Sequence, residues 1–243
     1  MTLISLANEE QQRLNSALQT YGNFSAITDA TVELFGGMVS SVTTQAPPFV
    51  AFYAQAKKHA TLAFFSILRG HRTQYKLTLR YFLESLVQAA YSASHRDPRE
   101  YWDLEAKAPT KQDTVVKRAN QWLKETYPIS SANIKEMKER INSQSSHANF
   151  VTSLTNFTLS ENGNHDSPFF DYENDLIVKS DLLECTRAAS IAIDLLLACS
   201  KDTGIMILWP DTQATWSQFS HLTDDLFEEV KNDPRWAKFK DEA

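Results

Sequence analysis

Five ionisable residues, Arg69, Arg72, Lys76, Arg80 and Glu84, follow one another at spacings of three, four, four and four. On one continuous helix such spacings hold side chains on a slowly drifting stripe. A row of cations closed by a carboxylate can form a polar pocket that binds an anion. It can equally tie its helix to neighbours through structural ion pairs, and both readings stand. Arg80 and Glu84 form an i,i+4 pair, and a sheltered pair of that kind needs further hydrogen-bond partners or it costs stability. Gly70 interrupts the stripe just after Arg69.

A second constellation is Arg140 and His147, in the run Glu139-Arg140-Ile141-Asn142-Ser143-Gln144-Ser145-Ser146-His147-Ala148-Asn149. His titrates near neutrality and can serve as general acid or base. A nearby Arg can stabilise the charge that develops on a phosphorane-like transition state. The other reading is a cap-and-turn segment in which His147 hydrogen-bonds the backbone.

The common alternatives lack their residues. The six histidines are His59, His71, His95, His147, His165 and His221. None forms the i,i+4 pair or the His-Glu-x-x-His pattern of a helical zinc site. His165-Asp166, close to Asp171, Glu173 and Asp175, reads as a solvated acidic loop. There is no Gly-x-Ser-x-Gly elbow, no Gly-x-x-x-x-Gly-Lys phosphate loop and no Gly-x-Gly-x-x-Gly. No metal or cofactor is therefore expected. Trp102, Trp122, Trp209, Trp216 and Trp236 read as core or interface anchors.

The elements that must position these residues are helical. Only 6 of 243 residues are Gly and 8 are Pro, too few for the many tight turns of an all-β protein. Helices are expected over 4–21, 25–43, 48–69, 72–95, 111–126, 130–143, 179–200 and 212–231, with a short one at 99–107. The 72–95 segment is apolar on several sides, which predicts a central helix. Residues 144–176 are the least regular stretch. Glu161-Asn162-Gly163-Asn164 is a turn signal, and Phe157–Leu159 with Asp175–Val178 could pair as a small β-hairpin.

Charge is uneven. Residues 51–150 carry 16 Lys/Arg against 9 Asp/Glu, a net of +7; the remainder carries 8 against 21, a net of −13, and together they give the chain's −6. The basic middle could hold an anionic ligand, or opposite-sign regions could pack against each other or against a partner subunit. Cys185 and Cys199 lie 14 residues apart in one predicted helix, about 21 Å along its axis, too far for a bridge. They read as reduced core residues, as in the cytoplasm. The N-terminal MTLISLANEEQQ has no basic region ahead of an apolar stretch, so no signal peptide is expected. No apolar run approaches the ~20 residues of a membrane span.

The Arg140-to-His147 run resembles the Arg-x(4–6)-His motif of the HEPN superfamily, although Ile141 stands where that family carries a polar residue. A second stretch, Phe65-Ser66-Ile67-Leu68-Arg69 with Arg80-Tyr81-Phe82-Leu83-Glu84 and Asp97-Pro98, resembles uncharacterised bacterial helical families. Together the matches touch about a third of the chain. The HEPN resemblance implies a helical bundle, a homodimer that pairs two Arg/His sets, and metal-independent RNA cleavage in toxin–antitoxin or phage-defence systems.

The expectation is thus a mainly α fold: a multi-helix bundle of six to eight helices, with a small β-hairpin near 157–178 left open. Residues 1–204 would form the bundle and 205–243 a helical extension packed on it. Arg140 and His147 are the candidate catalytic pair, and Arg69, Arg72, Lys76, Arg80 and Glu84 the candidate binding residues. RNA, a protein partner or a second copy are the candidate partners. The alternative is a non-catalytic helical protein–protein interaction module.

Overall fold

A computed structural model of the chain describes residues 2–42, 46–103, 108–109, 112–145, 158–159, 165–166, 169–171 and 174–236, with backbone alone at 108–109, 112, 144–145, 158–159 and 165–166. The fold is a mainly α multi-helix bundle with small antiparallel strand pairs. Eight α-helices lie among the described residues: α1 (Leu3–Tyr21), α2 (Asn23–Gly37), α3 (Pro47–Arg69), α4 (Arg72–Ser94), α5 (Gln112–Thr126), α6 (Pro128–Ser145), α7 (Asp175–Thr203) and α8 (Thr212–Lys231). No helix among them is long and apolar enough to cross a membrane.

Local sequence sets most of the boundaries. Thr2 and Ser5 form a reciprocal capping box that starts α1. Proline opens α3, and Pro128 opens α6 directly after α5, where a missing N–H costs nothing. The side chain of Asn174 accepts from the Leu176 N–H and starts α7. Helix α3 stops at Gly70, in the left-handed region with φ of 90°. A Cβ there would also come within 3.1 Å of the Phe170 ring, so only glycine fits on both counts.

Helix α4 is central, as its apolar pattern predicts. Tyr75, Leu79, Phe82, Leu83 and Leu86 are fully buried, and the helix packs on α3, α5, α6 and α7. Its burial is not complete all round: Leu77 and Tyr81 are exposed. The Phe82 ring meets Phe35 of α2 edge-on at 5.2 Å. Helices α2 and α7 are joined through the buried hydroxyls of Thr28 and Thr186, 2.9 Å apart.

Three segments differ from the sequence expectation. The expected helix over 25–43 ends at Gly37, and Val39–Val42 forms strand β1. Two β-branched residues in Val-Ser-Ser-Val suit a ladder better than a helix. That ladder has a remote partner: Met206–Leu208 (β6) pairs with β1 antiparallel, with a bulge between Val39 and Ser41. The helix expected at 99–107 is a 3-10 turn at Pro98–Glu100, capped by Asp97 on the Arg99 N–H. Strand β2 (Trp102–Asp103) follows and pairs with β3 (Ala108–Pro109). Finally, Asp175–Val178 is not a strand. It forms the first turn of α7, because the Asn174 cap draws it into the helix. The small hairpin is present, but Thr158–Leu159 (β4) pairs with His165–Asp166 (β5).

Both cysteines lie on α7 and are buried. Desolvation pushes each thiol up to about 12. A maleimide is therefore expected to leave the native protein unlabelled at pH 7.5 and to label both thiols once urea unfolds it. Rapid native labelling would contradict this burial.

Candidate functional site

The five-residue stripe does not act as one unit. Arg69 ends α3 ahead of the Gly70 turn, so it leaves the axis of α4. Its guanidinium lies 5.7 Å from the Phe65 ring, and its Nε is buried with no hydrogen-bond partner among the described residues.

Arg72 and Lys76, on the first two turns of α4, face α7. Arg72 Nε donates to Asp181 Oδ2 at 2.9 Å. Lys76 is 2% exposed, with Nζ 3.1 Å from Asp181 Oδ1 and also paired with Glu184 Oε2. The Tyr75 hydroxyl, donor to one acceptor at a time, lies 2.9 Å from Glu184 Oε2 and 3.1 Å from the Asp181 carbonyl. Two cations and two carboxylates balance in charge. An anion entering here would meet Asp181 and Glu184, so this end of the stripe ties α4 to α7.

Arg80 and Glu84 lie two turns further along, and both are partly exposed. Arg80 Nε donates to Glu84 Oε1 at 3.1 Å, and its Nη1 donates to Asn142 Oδ1 of α6 at 2.6 Å. Lys138 of α6 brings its Nζ to 3.9 Å from Glu84 Oε1, an ion-pair distance too long for a hydrogen bond. Burial holds the Lys138 ammonium below its usual pKa, Glu84 pulls the other way, and Arg80 adds to the lowering. Of these groups, Glu84 and Lys138 border a cleft of about 140 Å³ between α3, α4, α5 and α6. Phe52, Tyr81, Glu84, Gln88, Asn120 and Lys138 line it.

Two neighbours of the cleft carry unusual chemistry. His59 of α3 stacks on Tyr81 at 5.5 Å between ring centres. Burial, followed by the charge of Lys58, lowers the His59 pKa and favours neutral imidazole. Gln88 is 8% exposed, and its side-chain carbonyl has no donor among the described residues. A buried acceptor without a donor costs about 1–3 kcal/mol.

Arg140 sits on the opposite flank of α6. At about 100° per residue, Lys138 and Asn142 share the side toward α4, whereas Glu136 and Arg140 share the other side. Arg140 Nη2 is 3.8 Å from Glu136 Oε1, and Glu136 Oε2 accepts from Arg187 of α7 at 3.4 Å. The Nε and Nη2 of Arg140 are buried with no hydrogen-bond partner among the described residues. Arg140 is therefore separated from Arg80 and Glu84, and His147 lies outside the described residues.

Sequence reasoning did not single out Lys138, Asn142, His59 or Gln88. A signal for the first two existed: they are an i,i+4 pair flanking the buried Met137 and Ile141. Among the described residues no group of three His, Cys, Asp or Glu could hold a metal ion. No protein-family model, no characterised protein and no solved structure matches the chain.

Proposed function

We propose that the protein is an RNA-directed helical bundle. One observation carries this reading. Tyr81 is 55% exposed, stacks on the His59 ring, lines the cleft together with Lys138, and directly follows Arg80 in the chain. An exposed aromatic flanked by cations is what an unpaired base and its phosphate require. The net +7 of residues 51–150, which contain Tyr81 and both cations, supports the same reading.

Within this proposal Arg140 and His147 are the cleaving pair that the HEPN resemblance implies. Arg140 would stabilise charge on the phosphorane and His147 would move the proton, without a metal. The Nε of Arg140 makes no hydrogen bond among the described residues, and its Nη2 has the 3.8 Å ion pair with Glu136, so this guanidinium is not fully engaged by hydrogen bonds. The bacterial conflict setting and the paired homodimer rest on the resemblance alone.

The test is RNA cleavage and binding by purified protein in EDTA. Wild type is compared with His147→Ala, Arg140→Ala and Tyr81→Ala, each checked for folding by circular dichroism. Cleavage is expected to vanish in the first two variants. Binding is expected to weaken about 5- to 150-fold in Tyr81→Ala, the equivalent of ~1–3 kcal/mol per stacked base. Cleavage unchanged in the His147 and Arg140 variants overturns the catalytic pair, and no RNA binding by the wild type overturns the whole reading. The second reading, a non-catalytic protein–protein interaction module, then takes its place. It has its own support in Ile207 and Trp209, large apolar side chains exposed where β6 ends.

A further inference from the structure

Helix α3 turns a basic surface outward. From residue 34 to residue 83 the chain has no Asp or Glu and six Lys or Arg. Two of those cations, Lys57 and Lys58, are exposed on the free face of α3. Lys57 lies over the Tyr53 ring at 5.5 Å, and neither lysine has an ion pair among the described residues. Val50 and Phe65 are exposed on the same face. At about 100° per residue, these four side chains fall within an arc of about 100°. The lysines stand midway between the apolar pair: Val50 is seven residues before Lys57, and Phe65 seven after Lys58.

Helix α8 turns the opposite charge outward. It carries Asp224, Asp225, Glu228 and Glu229 against one Lys, Lys231, and His221 completes its ionisable residues. Lys231 pairs with Glu228, and Lys179 of α7 pairs with Glu229. Asp224 and Asp225 are exposed and have no ion pair among the described residues. Leu222 and Phe227 are exposed two residues before the aspartates and two after them. Around the helix they take opposite margins of the free face, with the aspartates between.

The two faces match. Each sets a pair of adjacent, unpaired like charges between two exposed apolar side chains, and the signs are opposite. Both faces stay exposed within one chain, so the partner that fits them is a second copy. Copies with a net charge of −6 repel one another at long range, and a local contact of opposite signs is what overcomes that repulsion.

We propose that the protein self-associates by seating α8 of one copy across α3 of another. Lys57 and Lys58 meet Asp224 and Asp225, while Val50 and Phe65 receive Leu222 and Phe227. The apolar pair of α8 spans that helix from margin to margin, whereas the apolar pair of α3 runs along its axis, so the two helices cross steeply. Two such contacts close a dimer in which each copy gives both faces. Tyr81, Arg80 and Lys138 take no part, so the contact is independent of the RNA reading.

The experiment is sedimentation velocity of the full chain, at concentrations up to about 200 µM. It is run in roughly 0.1 M and roughly 1 M NaCl, which shortens the screening length from about 10 Å to about 3 Å. The wild type is expected to sediment as more than one chain in low salt and to lose that association in high salt. Two variants follow, Lys57→Glu with Lys58→Glu, and Asp224→Lys with Asp225→Lys. All four positions are exposed, so both variants should keep the wild-type Tm by circular dichroism. Each variant alone is expected to stay a single chain, because like charges then face each other. Mixed one to one, the two are expected to associate again, because every α3–α8 contact between them joins opposite signs.

A wild type that stays a single chain at the highest concentration overturns the contact. So does a variant that associates as the wild type does, or a mixture that stays monomeric. RNA binding that disappears in the Lys57 and Lys58 variant, with no self-association by the wild type, overturns it as well and gives these lysines to RNA.

Discussion

Lys76→Ala is expected to destabilise the protein by about 3–5 kcal/mol, the usual cost of removing one partner from a buried ion pair. For a chain of this size that corresponds to a fall in Tm of roughly 6–20 °C, read by circular dichroism. The cause is the company Lys76 keeps. Its ammonium lies between Asp181 and Glu184, and all three side chains are largely or wholly buried. Without it, two carboxylates on adjacent turns of α7 lose the cation they share, while Arg72 stays on Asp181 and the Tyr75 hydroxyl on Glu184. Neither can neutralise both. A loss below about 1 kcal/mol, the range of exposed ion pairs, would mean that water reaches this network.

The second large effect is expected at Phe82. Its ring is fully buried in the centre of α4 and meets Phe35 edge-on. Phe82→Ala removes that ring and leaves a cavity, at about 3–5 kcal/mol. Its neighbour Tyr81 is exposed, and Tyr81→Ala should stay within about 0.5 kcal/mol. Urea unfolding of the two variants compares opposite faces of one helix at adjacent positions. Equal losses would place the core face of α4 elsewhere. Either large loss is a sizeable share of the roughly 5–15 kcal/mol that holds a folded domain together.

The helices were legible because their signals are local. The apolar stripe Tyr75, Leu79, Phe82, Leu83, Leu86 sits within a single helix, and every one of its members is buried. Gly70 and Gly204 end α3 and α7 in left-handed backbone, as glycine ends most helices of this kind. What escaped was set from far away. Val39–Val42 follows two glycines at the end of a helical pattern, and nothing within ten residues announces its partner at 206–208. Asp175–Val178 ends in Ile177 and Val178, β-branched residues that suit a strand, yet one Asn cap decides it for helix.

The polar clusters divide along the same line. The i,i+4 pair Arg80–Glu84 follows from spacing and is present. Which carboxylates meet Arg72 and Lys76 depends on the register of α7 against α4, more than 100 residues apart in the chain. The same holds for Lys138 and Asn142, whose role appears only when α6 is laid against α4. Six residues between Arg140 and His147 say nothing of which flank of α6 the arginine takes. The helix settles it, turning Arg140 toward Glu136 and away from Lys138.

The β1–β6 ladder joins residues far apart in the chain: the Ser40 hydroxyl donates to the Ile207 carbonyl across 167 positions. Contacts of that span, like the Thr28–Thr186 pair across 158 positions, are non-local and slow folding relative to contacts within one helix or between neighbouring helices. On a chain made from its N-terminus, β1 must wait with its backbone N–H and C=O groups unpaired until β6 has been synthesised. A short, β-branched segment waiting in this way is a template for pairing with another chain. The ladder therefore acts as a late fastener: its closing pairs the unsatisfied edge of β1 and ties the segment after α2 to the segment after α7.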